Sequence, residues 1–158
     1  MKRAIYPGSF DPITLGHLDI VKRISKYFDE LIILVANSTS KKYLFSLEER
    51  AHLISASLSG LKNVRVDHSS GLTVDYAKAN DVEIIIRGLR AVADFEYEMS
   101  VANMNKKLYS EIETMIIFSD PKYNFVSSRM IKEVGKLGGD LSGLVPAPVL
   151  KALKEKYT

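Results

Sequence analysis

The 158-residue chain has no cysteine. That excludes a disulfide-stapled scaffold, an iron–sulfur cluster and a thiol nucleophile. Long apolar runs are also missing. The longest, Leu31-Ile32-Ile33-Leu34-Val35-Ala36, has the length of a strand and falls far short of the roughly 20 residues of a membrane-crossing helix. Neither G-x-G-x-x-G nor G-x-x-x-x-G-K-[ST] occurs, so neither a dinucleotide clamp nor a Walker loop is expected. Lysines and arginines exceed acidic residues by a net charge of +3, but they are spread out. No basic arm forms, and aromatic and basic residues do not interleave on one strand face, so nucleic acid is not an expected partner. The small cationic excess suits anionic small molecules instead. Met1-Lys2-Arg3 imitates the start of a signal peptide, but Pro7, Gly8 and Asp11 interrupt any apolar core behind it. A cytoplasmic protein with no membrane association is therefore expected.

What is present is ordinary for a globular chain: 46% hydrophobic and 26% charged residues, and enough length for one domain, residues 1–158, with a substantial core. The elements are punctuated clearly. A first strand is expected at residues 3–6 and a first helix at 14–28, where Leu18, Val21, Ile24 and Phe28 follow helical spacing. The apolar run at 31–36 reads as a strand covered on both faces, hence part of a parallel sheet. A polar loop follows at 37–43. Ser46-Leu47-Glu48-Glu49 has the spacing of a capping box and opens a helix ending near Gly60. Further strands are expected at 64–67, 82–86 and 113–118. Helices are expected from Thr73 or Val74 to about Asn80, from an N-cap at Asp94 to Tyr109, from Ser127-Ser128 towards Lys136, and from the turn containing Pro148 to about Lys156. Gly138-Gly139 suits the end of the helix before it.

Alternating strands and helices imply right-handed βαβ units and a doubly wound, Rossmann-like α/β fold. The expected sheet has about five parallel strands in the order 3-2-1-4-5, with helices on both faces. Strands one and four then meet where the chain reverses direction across the sheet. Ligands bind at the carboxyl ends of strands at such a switch point.

Two stretches fall there. The first is Gly8-Ser9-Phe10-Asp11-Pro12-Ile13-Thr14-Leu15-Gly16-His17, a turn leading into a helix N-terminus that offers unpaired N–H groups and a positive dipole end. The second is Arg87-Gly88-Leu89-Arg90, read as a loop after strand four whose guanidinium forks suit phosphate oxygens. Ser127-Ser128 follows strand five on the same edge, as ordinary helix caps or as part of a polyphosphate site. Lys41-Lys42, taken alone, reads as a solvated pair. His52 and His68 show no metal-ligand spacing to any partner.

These residues carry a resemblance. Thr14-Leu15-Gly16-His17 resembles the T-x-G-H motif of the nucleotidylyltransferase superfamily, and Ser127-Ser128-Arg129-Met130-Ile131-Lys132 is similar to its second motif. Tyr6-Pro7-Gly8-Ser9-Phe10-Asp11-Pro12-Ile13-Thr14 and Ile86-Arg87-Gly88-Leu89-Arg90-Ala91-Val92-Ala93-Asp94-Phe95-Glu96-Tyr97-Glu98-Met99 are similar to the bacterial phosphopantetheine adenylyltransferases. The resemblance covers nearly the whole chain. It implies transfer of AMP from ATP to 4′-phosphopantetheine, giving dephospho-coenzyme A and pyrophosphate in coenzyme A synthesis, with Mg2+ and in a homo-hexamer.

Carried over by position, the resemblance implies catalytic roles for His17, Lys41 and Arg90, with His17 on the α-phosphate. ATP would meet Ser9, Phe10, His17, Gly88, Leu89, Arg90, Glu98, Tyr123, Asn124, Phe125, Val126, Ser127, Ser128 and Arg129. Phosphopantetheine would meet Ser9, Lys41, Thr73 and Arg87. No protein side chain is expected to ligate a metal. Arg129 departs from the serine or threonine usual there. The alternatives are a sibling enzyme acting on nicotinamide mononucleotide or transferring cytidylyl groups, and a non-catalytic nucleotide-sensing domain.

Overall fold

A computed structural model describes residues 1–38 and 41–158. Thr39 and Ser40, part of the polar loop expected after the second strand, lie outside the described residues. In chain order the elements are β1 (Arg3–Gly8), α1 (Leu15–Ser25), β2 (Glu30–Ala36), α2 (Leu47–Ser57), β3 (Val64–Ser69), α3 (Thr73–Ala79), β4 (Ile84–Leu89), α4 (Val92–Leu108), β5 (Glu113–Phe118), a 3-10 turn (Pro121–Tyr123), α5 (Ser128–Lys136) and α6 (Ala147–Tyr157). The five strands form one sheet in the order β3-β2-β1-β4-β5, and every pairing is parallel. This is the expected doubly wound order.

The sheet is covered on both faces because β2 is apolar at every position along its middle. Leu31, Ile33 and Val35 pack into one core with Val21 and Ile24 of α1, Ile54 of α2, Ile131 of α5 and Val149 of α6. Ile32 and Leu34 turn the other way and join Ile5, Ala77, Val82, Ile85 and Ile112. The period-two alternation of a strand thus divides one continuous apolar run between two cores.

Several boundaries differ from the expected ones for identifiable reasons. β1 continues through Pro7 and Gly8, paired with Leu34 and Val35 of β2. On its other side it registers with β4 at Ile5 against Ile85. The carbonyl of Pro7 accepts from Nη1 of Arg87, at 3.1 Å, on that β4 side. A strand residue points its N and its O towards the same neighbour, so the N–H that proline lacks falls where the ladder has already parted. The stretch Arg87-Gly88-Leu89, expected as loop, is strand: it pairs with Ile116, Ile117 and Phe118 of β5. Asp94 is not the N-cap of α4. Ala91 holds that position without a side-chain cap, and Asp94 lies one turn in, 3.6 Å from the Arg90 guanidinium.

The capping box of α2 is as expected. Ser46 Oγ accepts from Glu49 N at 3.1 Å, and Ser46 N donates to Glu49 Oε2 at 2.7 Å. At the far side of the sheet α4 is nearly uncovered: Glu98 is its buried residue, while Val92, Phe95, Met99, Met104 and Leu108 are exposed.

Candidate active site

β1 and β4 part at their carboxyl ends, and the gap between them opens into a cleft of about 490 Å3. Its walls come from the loop after β1, the first turns of α1 and α4, the ends of β4 and β5, and the start of α5. Two glycines set how close these walls come. A Cβ on Gly88 would lie 2.8 Å from Ile20 Cδ1, and one on Gly16 would lie 3.2 Å from Tyr123 Cβ. Gly88 therefore lets α1 close onto β4, and Gly16 lets the segment after β5 close onto the start of α1.

His17 is fixed by the helix it helps to cap. Thr14 is the N-cap of α1; its Oγ1 accepts from His17 N at 3.4 Å. In return Thr14 N donates to Nδ1 of His17 at 3.1 Å. This is a capping box with histidine where glutamate or glutamine usually stands. Because Nδ1 receives the Thr14 N–H, the hydrogen-bond network assigns the ring proton to Nε2. The ring packs edge-on to Phe10, with centroids 5.2 Å apart and planes at 75°. Phe10 in turn packs edge-on to Tyr6 at 5.4 Å. Phe10 itself has a left-handed φ of 46°, a conformation uncommon outside glycine, of the kind that gathers at functional turns. Burial first, then the charges of Arg90 and Arg87, lower the His17 pKa to about 4. The imidazole is thus neutral at physiological pH, with an Nε2–H to donate.

The two arginines of β4 and its exit are held differently. Arg87 makes a two-pronged pair with Glu98 of α4: Nε to Oε2 at 2.5 Å and Nη2 to Oε1 at 2.7 Å. With its third bond to Pro7 O, this guanidinium closes the split between β1 and β4. Arg90 lies at the cleft mouth, Nη1 donating to Val126 O at 3.4 Å. Lys41 is exposed and lines the cleft from the other side. The lining residues include the cations Lys41, Arg87, Arg90 and Arg129 against the carboxylates Asp94 and Glu98. Arg87 offsets Glu98 and Arg90 stands against Asp94, so Lys41 and Arg129 leave the lining cationic, with two helix N-termini at its edge.

Most residues expected at the site meet there: Ser9, Phe10, His17, Lys41, Arg87, Gly88, Arg90, Glu98, Tyr123, Val126, Ser127, Ser128 and Arg129. Ser127 caps α5, its Oγ accepting from Met130 N at 3.1 Å. Ser128 Oγ donates to Pro12 O at 2.7 Å and ties that cap to the first loop. The Arg129 side chain is 89% exposed and pairs with Glu133, one turn on, at 3.0 Å.

Four expected residues do not line this cleft. Leu89 is in the core at 5% exposure, because the strand continues through it. Asn124 turns to Ser119, accepting from its Oγ at 2.7 Å. Phe125 is exposed. Thr73 opens α3, beyond β3.

The cleft also takes in Tyr6, Ile20, Ala93, Asp94, Tyr97 and Ser119. Asp94 had a legible signal, since it stands four residues before Glu98 and so shares its helix face, and Tyr97 stands three residues after Asp94. Asp11, grouped above with the site-forming loop, turns away from the cleft. Its carboxylate accepts from Leu44 N and Phe45 N, each at 2.9 Å, and from Lys132 Nζ at 2.7 Å. Among the described residues no cluster of three or more His, Asp or Glu side chains could hold a metal ion, and no helix is long and apolar enough to cross a membrane.

Residues 5–134 match the cytidylyltransferase-like family. The chain is 57% identical to a phosphopantetheine adenylyltransferase of Dictyoglomus turgidum, over 99% of this chain and 98% of that protein. It is 56% identical to one of Bdellovibrio bacteriovorus, over 98% of this chain and 97% of that protein. Among solved structures it resembles a protein of Vibrio parahaemolyticus named for nicotinate-nucleotide adenylyl transfer, with a TM-score of 0.73 over 99% of this chain and 95% of that one. At 19% identity that likeness speaks for the fold alone.

Proposed function

The chain belongs to the cytidylyltransferase-like family and, within it, to the phosphopantetheine adenylyltransferases, and from that premise we infer that it transfers the adenylyl group of ATP to 4′-phosphopantetheine, releasing pyrophosphate and forming dephospho-coenzyme A. The observation that carries the reading is the neutral His17, its Nε2–H presented beside a helix N-terminus in a cationic cleft. Such a cleft fits a reaction between two anions with no proton to remove.

The phosphate of phosphopantetheine attacks the α-phosphorus of ATP in line, and the bond to the pyrophosphate oxygen breaks. The nucleophile is already ionised, so no general base is needed. The chain's part is to position the reactants and to stabilise charge. His17 donates from Nε2 to an α-phosphate oxygen. Arg90, joined to Asp94 on α4, supplies fixed positive charge on the nucleotide side. Lys41 holds the acceptor phosphate, and Ser9 lies between the two phosphates. The N-terminus of α5, capped by Ser127, takes the outer phosphates. Arg87 and Glu98 hold each other in register and border the pantetheine and nucleotide sides. Arg129 needs no direct part, because it reaches into solvent.

The donor set fits a Mg2+ ion carried on the triphosphate, since the lining carboxylates Asp94 and Glu98 are each opposite an arginine. When bound, the ion neutralises phosphate charge. We propose a homo-hexamer on the strength of α4, whose Val92, Phe95 and Met99 are exposed at helical spacing beside exposed Met115 and Phe118 of β5. Light scattering of the purified chain tests it. The proposed compartment is the cytoplasm, where ATP is abundant; cell fractionation with a specific antibody tests it.

The activity itself is tested by pyrophosphate release. The chain with ATP and Mg2+ should release pyrophosphate with phosphopantetheine and not with nicotinamide mononucleotide. Release with the mononucleotide alone would move it to the sibling reaction, and ATP binding without release would make it a sensor.

A further inference from the structure

Arg50, in α2, is buried to 1% exposure although it is an arginine. A buried guanidinium normally has a carboxylate as partner. Among the described residues every hydrogen bond from it ends on a neutral acceptor. Nε donates to Ser46 O at 3.3 Å, Nη1 to Ser9 O at 2.8 Å and to Ala36 O at 3.2 Å, and Nη2 to Asn37 Oδ1. Its Cζ lies 4.1 Å from the centre of the Tyr43 ring. The acids whose fields reach it are engaged elsewhere: Asp11 with Lys132 at 2.7 Å, and Glu48 as acceptor from Ser46 Oγ at 2.9 Å. Each of its three nitrogens is hydrogen-bonded, and among the described residues no carboxylate pairs with it.

The acceptors have a pattern. Ser9 belongs to the loop after β1, Ala36 and Asn37 stand before Lys41 in the chain, and Tyr43 stands after it. Tyr43 is also fastened, its hydroxyl accepting from Ser38 N at 2.7 Å. Leu44 and Phe45 are held by Asp11. The chain on both sides of Lys41 is thus pinned to the first loop, and Arg50 makes the pins that reach Ser9.

We propose that Arg50 is a positioning residue for the acceptor phosphate: it sets Lys41 against Ser9 from behind, through the chain on either side of Lys41. The proposal rests on the adenylyl-transfer reading above. It explains why the fork is buried among carbonyls of three separate segments, which a lysine could not span at once.

The test is a double-mutant cycle read by pyrophosphate release. Arg50→Gln should raise the KM for phosphopantetheine about tenfold or more while the KM for ATP moves less than about threefold, and Arg50→Lys should fall between. In a Lys41→Ala background, the same Arg50→Gln change should add less than about threefold, because a residue that acts through Lys41 has little left to act on. Additive effects, or equal rises in both KM values, overturn the proposal. Should Arg50→Gln not fold, Asn37→Ala and Tyr43→Phe each loosen one pin and leave the guanidinium in place. They should show the same split between substrates at about threefold to tenfold, and unchanged KM values for both variants overturn it. A wild-type chain that turns over phosphopantetheine while the cycle is additive removes this proposal alone. A wild-type chain that does not turn it over removes the function and this proposal together.

Discussion

The backbone N–H of Thr14 donates to Nδ1 of His17 at 3.1 Å, so the helix that positions the imidazole also selects its tautomer. One hydrogen bond caps α1, orients the ring and leaves Nε2 as the donor. A donor aimed at a phosphate oxygen strengthens as charge and geometry change towards the transition state, so it contributes more to rate than to binding.

His17→Ala is therefore expected to lower kcat by roughly a hundredfold to a thousandfold, about 2.7–4 kcal/mol, the range for losing one oxyanion donor. ATP affinity should fall much less. His17→Gln, which keeps an N–H, should recover part of the rate. Steady-state kinetics beside a melting curve checks this, and a folded His17→Ala chain with near-normal kcat would end the assignment.

The same histidine makes a prediction about pH and stability. Its folded pKa is about 4, against 6.5 for an unburied histidine. Between those values the unfolded chain binds the proton and the folded chain does not, so stability rises with pH there. The contribution is fully present above about pH 6.5 and is lost as pH falls towards 4. Urea unfolding of wild type and His17→Gln across pH 4 to 7 should show a steeper loss on acidification in the wild type. Parallel curves would mean that the folded imidazole titrates normally.

Arg129→Ser, which restores the residue usual in the resembling family, should keep activity within roughly tenfold, under about 1.4 kcal/mol of barrier. The side chain is 89% exposed and its partner is Glu133 on the same helix. Exposed pairs of this kind contribute only a few tenths of a kcal/mol. Pyrophosphate release at saturating substrates measures the change, and a loss beyond a hundredfold would give the arginine a role of its own on phosphate.

How much of this was legible in the sequence depends on distance along the chain. The strand order was legible because β2 is apolar without interruption and the other strands alternate with helices. The Ser46–Glu49 capping box was legible because its two halves are three residues apart. The histidine capping box had the same spacing, but histidine at that place is an unusual partner and gave no signal. Pro7 and Gly8 read as a break, and only the divergence of β1 from β4 shows why a strand tolerates them. Arg87-Gly88-Leu89 read as a loop for want of knowing that β5 pairs along it. Arg50 and Asp11 had no local signature at all. Arg50 reaches Ser9 across 41 positions, and Asp11 reaches Lys132 across 121.

Asp11 yields the last prediction. It stands in the motif stretch, three residues before Thr14, and reads there as part of the site. Its side chain is 4% exposed and accepts three hydrogen bonds, two from backbone N–H groups and one from the Lys132 ammonium. The Lys132 side chain is less enclosed, at 29% exposure. The two partners should therefore not be equivalent. Asp11→Ala orphans the N–H groups of Leu44 and Phe45 and leaves the ammonium unmatched, so it should cost about 3 kcal/mol or more, at the low end of the 3–5 for a broken buried pair. Lys132→Met leaves the carboxylate with both N–H donors and should cost about half as much, since a carboxylate with two backbone partners is still largely satisfied. The double variant should cost less than the two single costs together, because the ammonium that Asp11→Ala strands is no longer there. Equilibrium urea unfolding of the three variants checks the order. A larger loss for Lys132→Met than for Asp11→Ala would show that the ion pair, and not the backbone bonds, is what Asp11 supplies to the fold.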